Sequence, residues 1–121
     1  MAYTVLSNKK NVKATLHFTP ANTTVIVAGN STVSNVATSD EILTGCNINQ
    51  FYWGTDAGSI QVLRGANTVA VLTGTGHHDY INAGISLSKD QSANLVVNFS
   101  GTANAYLIVD VQKVGTFVTV Y

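Results

Sequence analysis

The feature that most constrains this chain is a two-residue alternation of apolar and polar side chains, renewed after successive clusters of Gly and Asn. Side chains of an extended strand point alternately to opposite faces, so this pattern buries one face of a sheet and wets the other. In 12–18, Val12, Ala14, Leu16 and Phe18 alternate with Lys13, Thr15 and His17. In 42–54, Cys46, Ile48, Gln50 and Tyr52 alternate with Asn47, Asn49, Phe51 and Trp53. Leu95, Val97 and Phe99 stand against Asn94, Val96 and Asn98; then Ala105, Leu107, Val109 and Val111 stand against Tyr106, Ile108, Asp110 and Gln112. Shorter β-branched runs occupy 23–28, 59–64, 68–73 and 116–121. Gly65-Ala66-Asn67 and Gly101-Thr102-Ala103 have the length and chemistry of hairpin loops. No stretch carries a sustained apolar stripe at helical spacing, and Val, Thr and Asn outweigh the good helix formers.

Eight or nine short strands, with a turn signal every 8–12 residues, predict an all-β fold. The expected architecture is a single antiparallel β-sandwich, jelly-roll-like, covering residues 1–121. The ends admit two readings: 1–11 as an N-terminal arm or a core strand, and 113–121 as a C-terminal edge strand or an arm.

Charge narrows the function classes. Only 10% of the residues are charged, against roughly 25% in an average soluble domain. Six cations balance six anions, which argues against a nucleic-acid binder. A neutral surface of Thr, Ser and Asn hydrogen-bonds without the desolvation penalty of ions and favours association, so a subunit of a repetitive assembly is expected. A single cysteine, Cys46, allows no intramolecular disulfide. The opening residues hold no apolar signal segment, and no run approaches a membrane span, so synthesis in a cytosol is expected. Sequons at Asn22, Asn30 and Asn98 are what a chain rich in Asn, Ser and Thr produces by chance.

Candidate chemistry is sparse. His77-His78-Asp79 is the densest group of metal-capable side chains, but adjacent strand residues point apart, and a polar turn is the simpler reading. Gly74-Thr75-Gly76 reads as a turn with no helix behind it to cradle phosphate. There is no Gly-x-Ser-x-Gly elbow. Cys46 reads as a small buried hydrophobe, and Asp40 and Glu41 as solvated loop carboxylates. The expectation is therefore no catalytic residue, no metal and no cofactor: the chain is not an enzyme.

Two segments suit partner contact. Lys9, Lys10 and Lys13 bring three of the five lysines within five residues. They read as an edge guarded by charge, or as an arm that docks on an acidic neighbour. Phe51-Tyr52-Trp53 alternates on a strand, so Phe51 and Trp53 share one face and Tyr52 takes the other. Whichever aromatic is exposed would serve as an interface anchor or a sugar-stacking platform.

Trp53-Gly54, the run from Ser59 to Val69 (Ser-Ile-Gln-Val-Leu-Arg-Gly-Ala-Asn-Thr-Val), Asn94 to Gly101 (Asn-Leu-Val-Val-Asn-Phe-Ser-Gly) and Tyr106 to Lys113 (Tyr-Leu-Ile-Val-Asp-Val-Gln-Lys) together resemble small virion structural proteins of tailed marine and cyanobacterial bacteriophages. The resemblance covers about half of the chain, from Trp53 to Lys113, and includes no catalytic motif. It implies a capsid decoration (cement) subunit, a homotrimer on the outer capsid surface that binds the major capsid protein, with neither nucleic acid nor membrane as partner. In that role Lys9, Lys10 and Lys13 would meet acidic capsid surface, and the exposed aromatic would anchor an apolar contact. Val118, Val120 and Tyr121 would add an edge strand to a neighbour. The alternative is a receptor- or glycan-binding β-sandwich module of a tail or fibre, which would carry a concave polar-aromatic site.

Overall fold

The computed structural model describes residues 3–9, 12–30, 32–38, 41–79, 92–102 and 104–117. Among these there is no helix, and nine strands follow one another: β1 (Tyr3–Lys9), β2 (Lys13–Phe18), β3 (Thr23–Val25), β4 (Glu41–Thr55), β5 (Ser59–Arg64), β6 (Asn67–Leu72), β7 (Thr75–Asp79), β8 (Leu95–Ser100) and β9 (Ala105–Phe117). They form two antiparallel sheets, a wide one ordered β1-β2-β9-β4-β7 and a narrow one ordered β3-β8-β5-β6.

The pairing has a simple logic. β5 joins β6 directly, and working outward from that turn β4 pairs with β7, β3 with β8, and β2 with β9. The chain from β2 to β9 is thus one long antiparallel ribbon, folded at the Gly65-Ala66 turn and distributed over two sheets. β1 adds an outer strand to the wide sheet, paired with β2 from Tyr3↔Phe18 to Lys9↔Lys13. Residues 3–9 are accordingly strand.

Both sheets turn apolar side chains into one cluster. Ala14, Leu16 and Phe18 of β2 and Leu107, Val109 and Val111 of β9 meet Ile60 and Val62 of β5 and Leu95 and Val97 of β8 in it. Twenty buried apolar residues among those described belong to the cluster, enough to explain why the domain folds with so few charges.

β4 departs from the expected alternation. Its inward residues are Glu41, Leu43, Cys46, Ile48, Phe51 and Trp53, with register shifts against β9 between Leu43 and Gly45 and between Ile48 and Gln50. Each shift is a bulge, one extra residue that restores the inward phase. Cys46 and Ile48 therefore share their face with Phe51 and Trp53, whereas strict alternation puts them with Gln50 and Tyr52.

Other expectations shift as well. Thr75–Asp79 is a strand, where a glycine turn and a polar turn were expected. As the edge strand among the described residues, hydrogen-bonded there to β4 alone, β7 needs no apolar face, so no alternation announces it. The expected terminal run instead continues β9 through Gly115 to Phe117, opposite Glu41–Leu43. Gly115 permits this because a Cβ there would lie 2.3 Å from the Ile42 carbonyl oxygen.

Candidate functional site

The outer face of the wide sheet carries a concentration of polar side chains. Its cross-strand registers place Thr15, Asp110, Gln50 and Asp79 in one row across β2, β9, β4 and β7. The next row holds His17, Ile108, Tyr52 and His77. On the other side lie Lys9, Lys13, Gln112 and Asn47.

Three residues of the central row, Thr15, Asp110 and Gln50, are hydrogen-bonded in series. The Thr15 hydroxyl donates to Oδ1 of Asp110 and the Gln50 carboxamide donates to Oδ2, so both carboxylate oxygens are engaged. Oε1 of Gln50 lies 3.2 Å from Nε2 of His77. His77 in turn stacks on Tyr52, ring centroids 3.9 Å apart and planes 4° from parallel. This arrangement fixes Gln50 from both ends and aligns an aromatic pair beside it.

The bulge at Asn49 opens this face. Between the Gln50 row and the Lys13 row lies a cleft of about 280 Å³, lined by Lys13, Asn49, Gln50, Asp79 and Asp110. Asn49 is 9% exposed, and its Oδ1 is buried without a hydrogen-bond donor, as is Oδ1 of Asn47. A buried acceptor left unpaired costs about 1–3 kcal/mol, so the bulge is maintained against a local penalty.

No protein-family model, curated protein or solved structure matches the chain. The site therefore rests on its own geometry.

Of the residues expected to touch a partner, Lys9 and Lys13 are exposed and directly opposed across the β1–β2 hairpin. Lys10, Val118, Val120 and Tyr121 lie outside the described residues. Phe51 and Trp53 are core residues, because the bulge at Asn49 turns them inward with Ile48. Trp53 also donates its indole N–H to the Thr73 carbonyl at 3.0 Å. Only Tyr52 of the three aromatics is left on the surface.

His77 and His78 do point apart: His77 stacks on Tyr52 outside, and His78 stacks on Trp53 at 5.3 Å. Among the described residues no three His, Cys, Asp or Glu side chains converge for a metal. Cys46 is fully buried, and burial pushes its thiol up to about 11 against the lowering influence of Arg64 and Lys113.

Glu41 is the clearest correction. Expected as a solvated loop carboxylate, it is 1% exposed at the start of β4 and bound to Lys113, itself 4% exposed. The inward phase of β4 and β9 leaves both side chains no route to water, so they pair. The sequence signal for the cleft was thin, a lone Asp110 in an apolar strand; Asn49 gave none, since a bulge residue breaks the period that identifies a strand.

Proposed function

We propose that this chain is a non-enzymatic structural subunit of a virion, a capsid decoration protein that binds the major capsid protein lattice as a homotrimer and stabilises the head. The observation that carries the reading is the outer edge of β1. The wide sheet has one strand more than the narrow one, and every residue of β1 after Tyr3 is exposed, Val5 and Leu6 among them. A seven-residue edge strand with apolar side chains is a template for pairing with another chain unless something covers it. The low charge of the chain, 10% of its residues with no net charge, favours the same outcome.

The architecture supports a jelly-roll β-sandwich. Leaving β1 aside, the orders β2-β9-β4-β7 and β3-β8-β5-β6 are those of a ribbon rolled over two sheets, an architecture used by capsid and lectin domains. The virion setting comes from the resemblance carried by Trp53 to Lys113. On this reading the chain is made in the host cytoplasm and ends on the outer capsid surface. A trimer that touches several capsomers gains avidity without a strong single contact.

Stoichiometry in purified particles tests the proposal. A ratio near one to one with the major capsid protein supports lattice-wide decoration. A few copies per particle move the chain to a tail or fibre, and absence from particles removes the virion role. Replacing Lys9, Lys10 and Lys13 together by Ser should lower particle occupancy; unchanged occupancy excludes the basic contact.

A further inference from the structure

We propose that Lys113 and Asn8 are the precursors of an intramolecular isopeptide bond, formed with loss of ammonia and with Glu41 as the catalytic residue. Nζ of Lys113 lies 2.5 Å from Oδ1 of Asn8 and 2.8 Å from Oε1 of Glu41, so a carboxamide and a carboxylate meet at one amine. The Asn8 amide is held at both ends: Nδ2 donates to the Val36 carbonyl at 3.1 Å, which turns Oδ1 toward the lysine. With a C=O bond of about 1.2 Å, Nζ is then no more than about 3.7 Å from Cγ, close to the separation of a near-attack pair. Asn8 is on β1 and Lys113 on β9, with β2 between them. Strands two apart are separated by about 10 Å, so the two side chains must reach across β2 to meet. Ala14, paired with Asn8 on one side and Val111 on the other, is the smallest side chain of β2 and leaves that path open.

The chemistry balances with these groups alone. Glu41 takes a proton from the Lys113 ammonium as general base. The freed amine attacks Cγ of Asn8, and the Nζ–Cγ bond forms as the carbonyl π pair moves onto Oδ1. One proton passes from Nζ to Nδ2, the Cγ–Nδ2 bond breaks, and Oδ1 returns to a carbonyl. Nδ2 leaves as ammonia, which recovers the proton held by Glu41 and departs as ammonium. An ammonium and a carboxamide thus become an isopeptide and free ammonium, with no oxidant and no further reactant. The Lys113 and Glu41 side chains are shut off from solvent, whereas β1 beyond Tyr3 is exposed, so the released ammonia has a way out beside Asn8. Fixed positioning supplies the effective concentration that an unactivated amide requires. The reaction runs once per chain and lies within one chain, so it is independent of assembly on a particle. Until it occurs, Glu41 and Lys113 remain the buried ion pair of the unlinked chain.

The test is mass spectrometry of the full-length folded protein after overnight incubation at neutral pH. The expected result is a loss of about 17 Da, the mass of one ammonia. Tryptic digestion should then yield the peptide carrying Asn8 joined to the peptide carrying Lys113, with no cleavage after Lys113. An unchanged mass overturns the proposal. A loss of about 17 Da without the joined pair, as from a succinimide at another asparagine, overturns it equally. Asn8→Ala should abolish the joined pair, and Asn8→Asp should restore it with a loss of about 18 Da, one water in place of ammonia. Glu41→Gln should abolish linkage; linkage at the parent's rate overturns the catalytic role of the carboxylate. Asn8 lies on the exposed edge strand, so its two variants keep the proposal falsifiable even where Glu41→Gln fails to fold.

Discussion

Nζ of Lys113 lies 2.8 Å from Oε1 of Glu41, with both side chains shut off from solvent, and the pair joins the two central strands β4 and β9 at one end of the sheet. Both partners make further hydrogen bonds. Oε1 of Glu41 also accepts from the backbone N–H of Thr38 at 2.6 Å and from the Thr38 hydroxyl. Lys113 also donates to Oδ1 of Asn8, whose Nδ2 reaches the Val36 carbonyl at 3.1 Å. One ion pair thereby ties β1, the approach to β4, and β9 together.

Removing one partner of a buried pair leaves an uncompensated charge, whereas replacing both by apolar groups removes the desolvation penalty as well. Glu41→Gln is expected to lower unfolding stability by about 3 kcal/mol, and Glu41→Leu with Lys113→Met to recover most of it. Urea denaturation at constant m checks this. Equal losses in the single and double variants would show that the polar contacts to Thr38 and Asn8, and not the charge balance, hold this end together.

Cys46 gives the domain a pH dependence of definite sign. Burial pushes its folded thiol up to about 11, above the 9.0 of a free thiol. A raised folded pKa contributes stability that is complete below the unfolded value and is lost as pH rises through the folded one. Stability should therefore fall between about pH 9 and 11, and Cys46→Ala should flatten that slope. The lost contribution is at most ~3 kcal/mol. At neutral pH iodoacetamide should modify the native thiol far more slowly than the unfolded one.

The strand content and the antiparallel class are legible because most strands bury one face. Val62, Val97 and Val109 fall inward where alternation puts them. β7 escapes because Thr75-Gly76-His77-His78-Asp79 serves an edge, where backbone pairing suffices and side chains need not alternate. Glu41 and Lys113 escape because each is a charge taken alone; the register that brings them together spans 72 residues of sequence. The cleft escapes for a related reason. Its lining comes from β2, β4, β7 and β9, and its shape from an extra residue that period counting treats as noise.

Gly58 and Gly74 make a paired test of backbone strain. Both have positive φ, +73° and +65°, but a Cβ at Gly58 would lie 1.9 Å from the Ser100 carbonyl oxygen, while among the described residues nothing lies within 4 Å of one at Gly74. Gly74→Ala should cost only the conformational term, about 1 kcal/mol. Gly58→Ala must also separate the β4–β5 turn from the β8–β9 turn and should cost about 3 kcal/mol or more. Thermal melts of the two variants separate the contributions; equal shifts would mean that the turns do not touch in solution.

The bulge at Asn49 predicts opposite outcomes for two single deletions in β4. Ile48 pairs with Val111 and Gln50 with Asp110, so Asn49 is the extra residue, and its removal leaves Ile48, Phe51 and Trp53 inward in a regular ladder. Deleting Tyr52 instead makes Phe51 and Trp53 neighbours, and one of two fully or nearly buried aromatics must turn outward or drag Gln50 into the core. Loss of a buried aromatic costs about 3–5 kcal/mol, a large part of the stability of a domain this size. The Asn49 deletion should therefore keep a cooperative melt near that of the parent, and removing an unpaired acceptor offsets part of any strain. The Tyr52 deletion should unfold or melt far lower.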